Sequence, residues 1–162
     1  MYFAYNGQGR PGLMANTTFD AILGGERTAT TRYESDYTRY NFHDFISVVS
    51  VQNIELTPGR SIKRKKCFNV YVKENRTAEL KDVFFNKTNY KKKILEEVNS
   101  QAQAKNIELK GEKLSYISES QAFYIKNGKL YIYFEPAEIA AASYGELDFE
   151  MPFSEKDGLF VY

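Results

Sequence analysis

An Asn127-Gly128 pair, set between two runs of alternating residues, limits what this chain can fold into more than any other stretch. Both central positions of a two-residue type I′ turn need positive φ, which asparagine and glycine tolerate best. With that pair as the loop, Ile125 faces Leu130 and Phe123 faces Ile132, so all four project from one side. Tyr124, Tyr131 and Tyr133 then share the opposite side. Tyrosine is enriched at recognition surfaces, which makes these three candidates for a partner surface. Further on, Leu147, Phe149, Met151 and Phe153 alternate with Glu146, Asp148, Glu150 and Pro152, the pattern of a half-buried strand. Between hairpin and strand, Pro136 suits the first turn of a short helix and Gly145 its stop.

The rest of the chain extends this pattern. Asn16–Leu23 reads as a short helix capped by Asn16 or Thr17 and ended by Gly24-Gly25. Glu34–Arg39 is polar and reads as a loop. Phe45–Leu56 is β-branched and reads as a strand, with Pro58-Gly59 as the turn after it. Arg60–Lys66 reads as a basic connection, and Cys67–Lys73 as a strand with Phe68, Val70 and Val72 inward, the two strands forming a hairpin. Tyr90–Lys105 is the one long amphipathic helix, with Tyr90, Ile94, Leu95, Val98 and Ala102 on one side. The expected fold is α+β: an antiparallel sheet packed against one long helix, with short additional helices. The expected organisation is an N-terminal segment over 1–44 and an α+β domain over 45–162, together one compact unit.

Composition narrows the function. At 162 residues the chain is one domain in size, and a net charge of +1 argues against nucleic acid or an anionic membrane as partner. Thirteen Tyr and twelve Phe without a Trp point to sheet. A single cysteine, Cys67, and a single histidine, His43, exclude an internal disulfide and any multi-cysteine or multi-histidine metal site. No cofactor and no metal is implied. No apolar run approaches the roughly 20 residues that span a bilayer, and the first residues as written lack a secretion signal. Gly7 to Gly12 matches GxGxxG, but no strand precedes it and Pro11 breaks the helix entry that a dinucleotide site needs.

Two stretches resemble known families. FNVYVKENRTAELKDVF (68–84), YKKKILEEVNSQ (90–101) and ISESQAFYIKNGKLYIYFEPAEIAAASYGELDFEMPF (117–153) occur in the order and spacing of the extracytoplasmic domain of RsiV-type anti-sigma factors. That domain binds lysozyme, and it also accompanies polysaccharide deacetylase domains. The resemblance, over about 48–153, implies a non-catalytic α+β binding module outside the cytoplasm or in the cell envelope. Its partner would be a protein, a lysozyme-like one included, or a cell-envelope glycan. At the head, ANTTFDAILGGERTATTRY (15–33) is similar to the opening motif of the ASCH family, with Gly25, Arg27, Thr28, Thr30 and Arg32 on its pocket-lining turn. That similarity implies the alternative function, binding of RNA or a modified nucleoside, with amidohydrolase activity a further implication of the family. Arg27 stands where the family has lysine, and a guanidinium stays protonated and cannot serve as a base.

From the residues alone, Arg27, Thr28, Thr31 and Arg32 are the ligand-binding candidates. Two guanidiniums beside hydroxyls can hold a phosphate or carboxylate bidentately. The basic run of Arg60, Lys63, Arg64, Lys65 and Lys66 lacks an aromatic platform for stacking bases and reads as a solvated loop. Cys67 reads as a small buried hydrophobe and His43 as an ordinary histidine with no nucleophile assigned to it. No catalytic residue is assigned.

Overall fold

The computed structural model describes residues 13–14, 22–23, 26–27, 32–57, 59–85 and 89–152. In chain order their strands are β1 (Leu13–Met14), β2 (Ile22–Leu23), β3 (Glu26–Arg27), β4 (Arg32–Phe42), β5 (Phe45–Thr57), β6 (Arg60–Tyr71) and β7 (Arg76–Thr77). After the helix α1 (Tyr90–Ala104) come β8 (Phe123–Lys126), β9 (Lys129–Phe134) and β10 (Leu147–Met151). They form a five-stranded sheet in the order β1-β4-β5-β6-β7, a three-stranded sheet β10-β9-β8, and the pair β2-β3. The chain divides into two compact units, Met1–Thr38 with Val49–Lys66, and Arg39–Val48 with Cys67–Tyr162.

This corrects the α+β expectation. The fold is β-rich, mostly antiparallel sheet, and α1 is the single α-helix among the described residues. In place of short additional α-helices the described residues hold only 3-10 turns, Val72–Glu74, Leu80–Val83 and Ala142–Tyr144. In the 16–23 stretch, Ile22–Leu23 is a strand paired with Glu26–Arg27, and the other residues of that stretch lie outside the described ones. After β9, Glu138 N–H donates to the Glu135 carbonyl at 3.0 Å and closes a β-turn. Pro136 therefore sits in a turn, because the φ that suits the start of a helix also suits the second residue of a β-turn. A three-residue 3-10 segment, Ala142–Tyr144, follows. Both polar stretches read as connections are strand: 34–39 lies in β4 and 60–66 in β6. Backbone pairing with a neighbour carries no side-chain signature, so strands with two wet faces escape a search for alternation.

The hairpin forms in the register that its turn dictates. Phe123 pairs with Ile132, Tyr124 with Tyr131 and Ile125 with Leu130. Asn127 and Gly128 take φ of 53° and 75°. β10 then adds to β9, Phe149 opposite Ile132 and Glu150 opposite Tyr131. The inward side of this sheet belongs to one core with Ile94, Val98 and Ala102 of α1 and with Leu80, Val83 and Phe84. Burying each such aliphatic or aromatic side chain contributes about 1.5–3 kcal/mol. The helix ends in a Schellman motif. Ile107 N–H reaches the Ala102 carbonyl at 2.8 Å and Asn106 N–H the Gln103 carbonyl at 3.1 Å, with Asn106 in the left-handed region at φ 53°.

β6 reverses the phase expected of it. Asn69 and Tyr71 are buried, while Phe68, Val70 and Val72 are 58%, 38% and 49% exposed. Asn69 decides the phase through hydrogen bonds. Its Oδ1 accepts from Ser47 Oγ at 2.7 Å, and its Nδ2 donates to the Phe123 carbonyl at 2.7 Å. Ser47 Oγ in turn accepts from Ile125 N–H at 2.9 Å. Two buried side chains thus occupy the outer edge of β8, whose backbone groups would otherwise be left unpaired. At the opposite edge of the same sheet, Gln101 Nε2 donates to the Glu150 carbonyl at 2.5 Å.

Candidate functional site

Strand alternation builds a contiguous exposed apolar row in the second unit. Ser47 and Asn69 point to one side of the five-stranded sheet, so Ile46 and Val48 of β5 and Phe68 and Val70 of β6 lie on the other. Val72 continues the row just beyond β6. Thr77 of β7 stands opposite Val70. The row carries no charge, and its one aromatic, Phe68, is its most exposed member.

The tyrosines expected at a partner surface occupy the reverse side of the hairpin from the core. Tyr124 and Tyr133 are buried, at 8% and 2% exposure, and Tyr131 is half-buried. Tyr124 stacks on Tyr131 with ring centroids 4.9 Å apart and planes 4° apart, and on its other flank meets Tyr40 of β4 at 6.4 Å. β10 sets carboxylates beside this ladder. Tyr131 Oη donates to Glu150 Oε2 at 2.7 Å, and Lys129 Nζ lies 2.5 Å from Glu150 Oε1. Asp148 accepts from the Tyr124 hydroxyl.

The electrostatic consequences run one way. The hydrogen bond to Glu150, with burial, pushes Tyr131 up to about 12. Burial, then Asp148, raises Tyr124 well above the ordinary phenol value, and burial followed by Glu146 does the same to Tyr133. Lys129 and Tyr131 hold Glu150 below the usual carboxylate value. These groups are moved away from neutrality, whereas a general acid or base works best with a pKa near the operating pH. The face offers hydrogen-bond donors and stacked rings and holds its protons fixed.

A second polar cluster is structural. Arg76 grips Asp82 with both terminal nitrogens, at 2.6 and 2.9 Å, and its Nε lies 2.6 Å from Glu74. The guanidinium carbon is 5.4 Å from the centre of the Tyr71 ring. Asp82 also accepts from Glu79 N–H at 2.8 Å, completing a capping box at a 3-10 turn.

Of the ligand-binding candidates, Arg27 lies in β3 and Arg32 opens β4. Their side chains, and Thr28 and Thr31 altogether, lie outside the described residues. The GxGxxG stretch lies outside them too. In the basic run, alternation along β6 sends Lys63 and Lys65 to one side and Arg64 and Lys66 to the other, which disperses the charge. Cys67 is half-buried within β6. His43 is exposed in the turn between β4 and β5, its ring edge-on to Phe42 at 4.4 Å. Among the described residues no group of three or more His, Cys, Asp or Glu could hold a metal ion, and no helix is long and apolar enough to cross a membrane. The apolar row of β6 was hidden in the sequence because Asn69 sits in the phase where a buried apolar residue is expected.

By fold, the described residues make a small β-rich protein whose one α-helix packs into the core of the second unit. Residues 81–154 match the model of DUF3298, described as a protein of unknown function. Two solved structures share the fold. One is a member of the DUF3298 family from Bacteroides fragilis, with a TM-score of 0.55 and 13% identity over 81% of this chain. The other is a DUF3298 family protein from Pseudomonas aeruginosa, with a TM-score of 0.57 and 9% identity over 82% of this chain. The chain spans 55% of the first and 63% of the second. No curated protein matches it. Neither the RsiV-type domain nor the ASCH family is named by these matches.

Proposed function

We propose that this chain is a non-catalytic binding module for a protein or cell-envelope ligand, of the class that its resemblance to RsiV-type domains implies. The observation that carries the reading is the exposed row of Phe68, Val70 and Val72, backed by a polar side chain locked into the core. A strand that buries Asn69 and presents phenylalanine and valines to water has a surface suited to association. The titratable groups of the tyrosine face support the same reading, since their shifts favour fixed protons over proton transfer. A lysozyme-like protein or an envelope glycan as ligand would place the module outside the cytoplasm.

Calorimetric titration of the purified chain with lysozyme, and separately with soluble peptidoglycan fragments, tests this. Saturable binding of one of them is expected, weakened at least about tenfold in a Phe68→Ser/Val70→Ser variant that melts like the parent. Silence with both ligands, joined to turnover of any glycan or nucleoside substrate, would overturn it.

A further inference from the structure

The second half of α1 and the segment after it border an open groove of about 750 Å3. Its apolar lining is Ala102, Ile107 and Leu109, and its carboxylates are Glu96, Glu108 and Glu112, set against one ammonium, Lys113. The walls are fixed from several directions. The Schellman bond from Ile107 N–H places that residue against the helix end. Leu109 makes a β-bridge to Ala140, and Lys110 N–H donates to the Ile139 carbonyl at 2.7 Å. Asn99 clamps Leu114 by two bonds, its Oδ1 accepting from Leu114 N–H at 2.8 Å and its Nδ2 donating to the Leu114 carbonyl at 2.9 Å. A site held this way needs little ordering on binding.

Nearby cations do not neutralise it. Lys105 reaches Gln101 at 3.1 Å and lies over the Phe149 ring, and Lys110 Nζ donates to the Ala137 carbonyl. Only Glu96 has an ion-pair partner, the exposed Lys92 at 3.9 Å, and Glu108 and Glu112 make none among the described residues. The groove is therefore acidic on a chain whose net charge is +1.

We propose that this groove is a binding site for a basic peptide segment of a protein partner, distinct from the apolar row of β6. Lysine and arginine match it because each joins an apolar stem to a cationic head. The stem lies on Ile107 and Leu109 while the head meets Glu108 and Glu112. A neutral glycan would leave the carboxylates unused, and an anion would be repelled.

The test is fluorescence anisotropy on the full chain with a labelled peptide alternating lysine and leucine, beside a counterpart with glutamate for lysine. Saturable binding of the first peptide alone is expected, falling at least about tenfold when salt rises from about 50 to 300 mM. A Glu108→Gln/Glu112→Gln variant, both positions exposed, should melt like the parent and bind at least about tenfold more weakly. The Phe68→Ser/Val70→Ser variant should bind the peptide like the parent, which separates a failure here from a failure of the binding-module reading. Equal binding of both peptides, undiminished binding by the glutamine variant, or no saturation at millimolar peptide would each overturn the proposal.

Discussion

Ala137 holds a φ of 64°, a left-handed conformation that an L side chain adopts at a cost of about 1–2 kcal/mol. It sits at the third position of the Glu135–Glu138 turn, where glycine is the usual occupant. Glu138 Oε2 accepts from Glu135 N–H at 2.7 Å, and Lys110 holds the Ala137 carbonyl, so the surroundings impose the conformation. Ala137→Gly should stabilise the fold by about 0.5–1 kcal/mol once the extra flexibility of glycine in the unfolded chain is deducted, read as a raised urea midpoint. At the same scale, Tyr131 should ionise near pH 12 in an absorbance titration at the phenolate band, and Glu150→Gln should bring it back toward the ordinary value. The sign follows from the direction of the shift. Between the ordinary phenol pKa and about 12 only the unfolded chain releases this proton, so its contribution to stability falls as pH rises through that window. Glu150 does the reverse. Its depressed folded pKa contributes stability at neutral pH that is lost as acidification passes through the carboxylate range.

At the scale of elements, the three-stranded sheet depends on side chains at its margins. Asn69→Leu would bury a residue of similar size but leave the Phe123 carbonyl and the Ser47 hydroxyl without their partner. Stranding those groups should cost about 2–3 kcal/mol, seen as a lowered denaturant midpoint with an unchanged slope. If the Asn69→Leu chain proved as stable as the parent, the network would not be what sets the phase of β6. The β8–β9 hairpin was readable residue by residue, because turn and alternation are local and agree. So was α1, from the spacing of Tyr90, Ile94, Val98 and Ala102. β4 and the first half of β6 were not readable, since Glu34–Arg39 and Arg60–Lys66 carry polar side chains on both faces and are strands only because β5 lies between them.

At the scale of the molecule, the core formed by the described residues falls within one unit. Every buried core residue among the described ones belongs to the unit of Arg39–Val48 and Cys67–Tyr162. The match to DUF3298 over residues 81–154 lies entirely within that unit. Its solvent-facing row should be dispensable for folding. Phe68→Ser/Val70→Ser is expected to change stability by no more than about 0.5 kcal/mol per position by chemical denaturation. A loss several times larger would mean that these side chains serve the core after all.

Local chemistry settles the elements whose cause lies within a few residues: a turn that Asn127-Gly128 alone can make, a helix spaced by its apolar residues, and a strand from Leu147 to Met151. Which side of β6 faces water was decided by the tertiary structure, because Asn69 is satisfied only by Ser47 and by the Phe123 carbonyl, 22 and 54 positions away. The same holds for the tyrosines. Their shared face was evident from alternation, but their burial and their ties to Asp148 and Glu150 required β10 and Tyr40 to be brought beside them. The acidic groove exists only where α1, its Schellman end and the bridge at Ala140 meet. No spacing in the chain announces Glu96, Glu108 and Glu112 as neighbours, since long-range pairing puts them there.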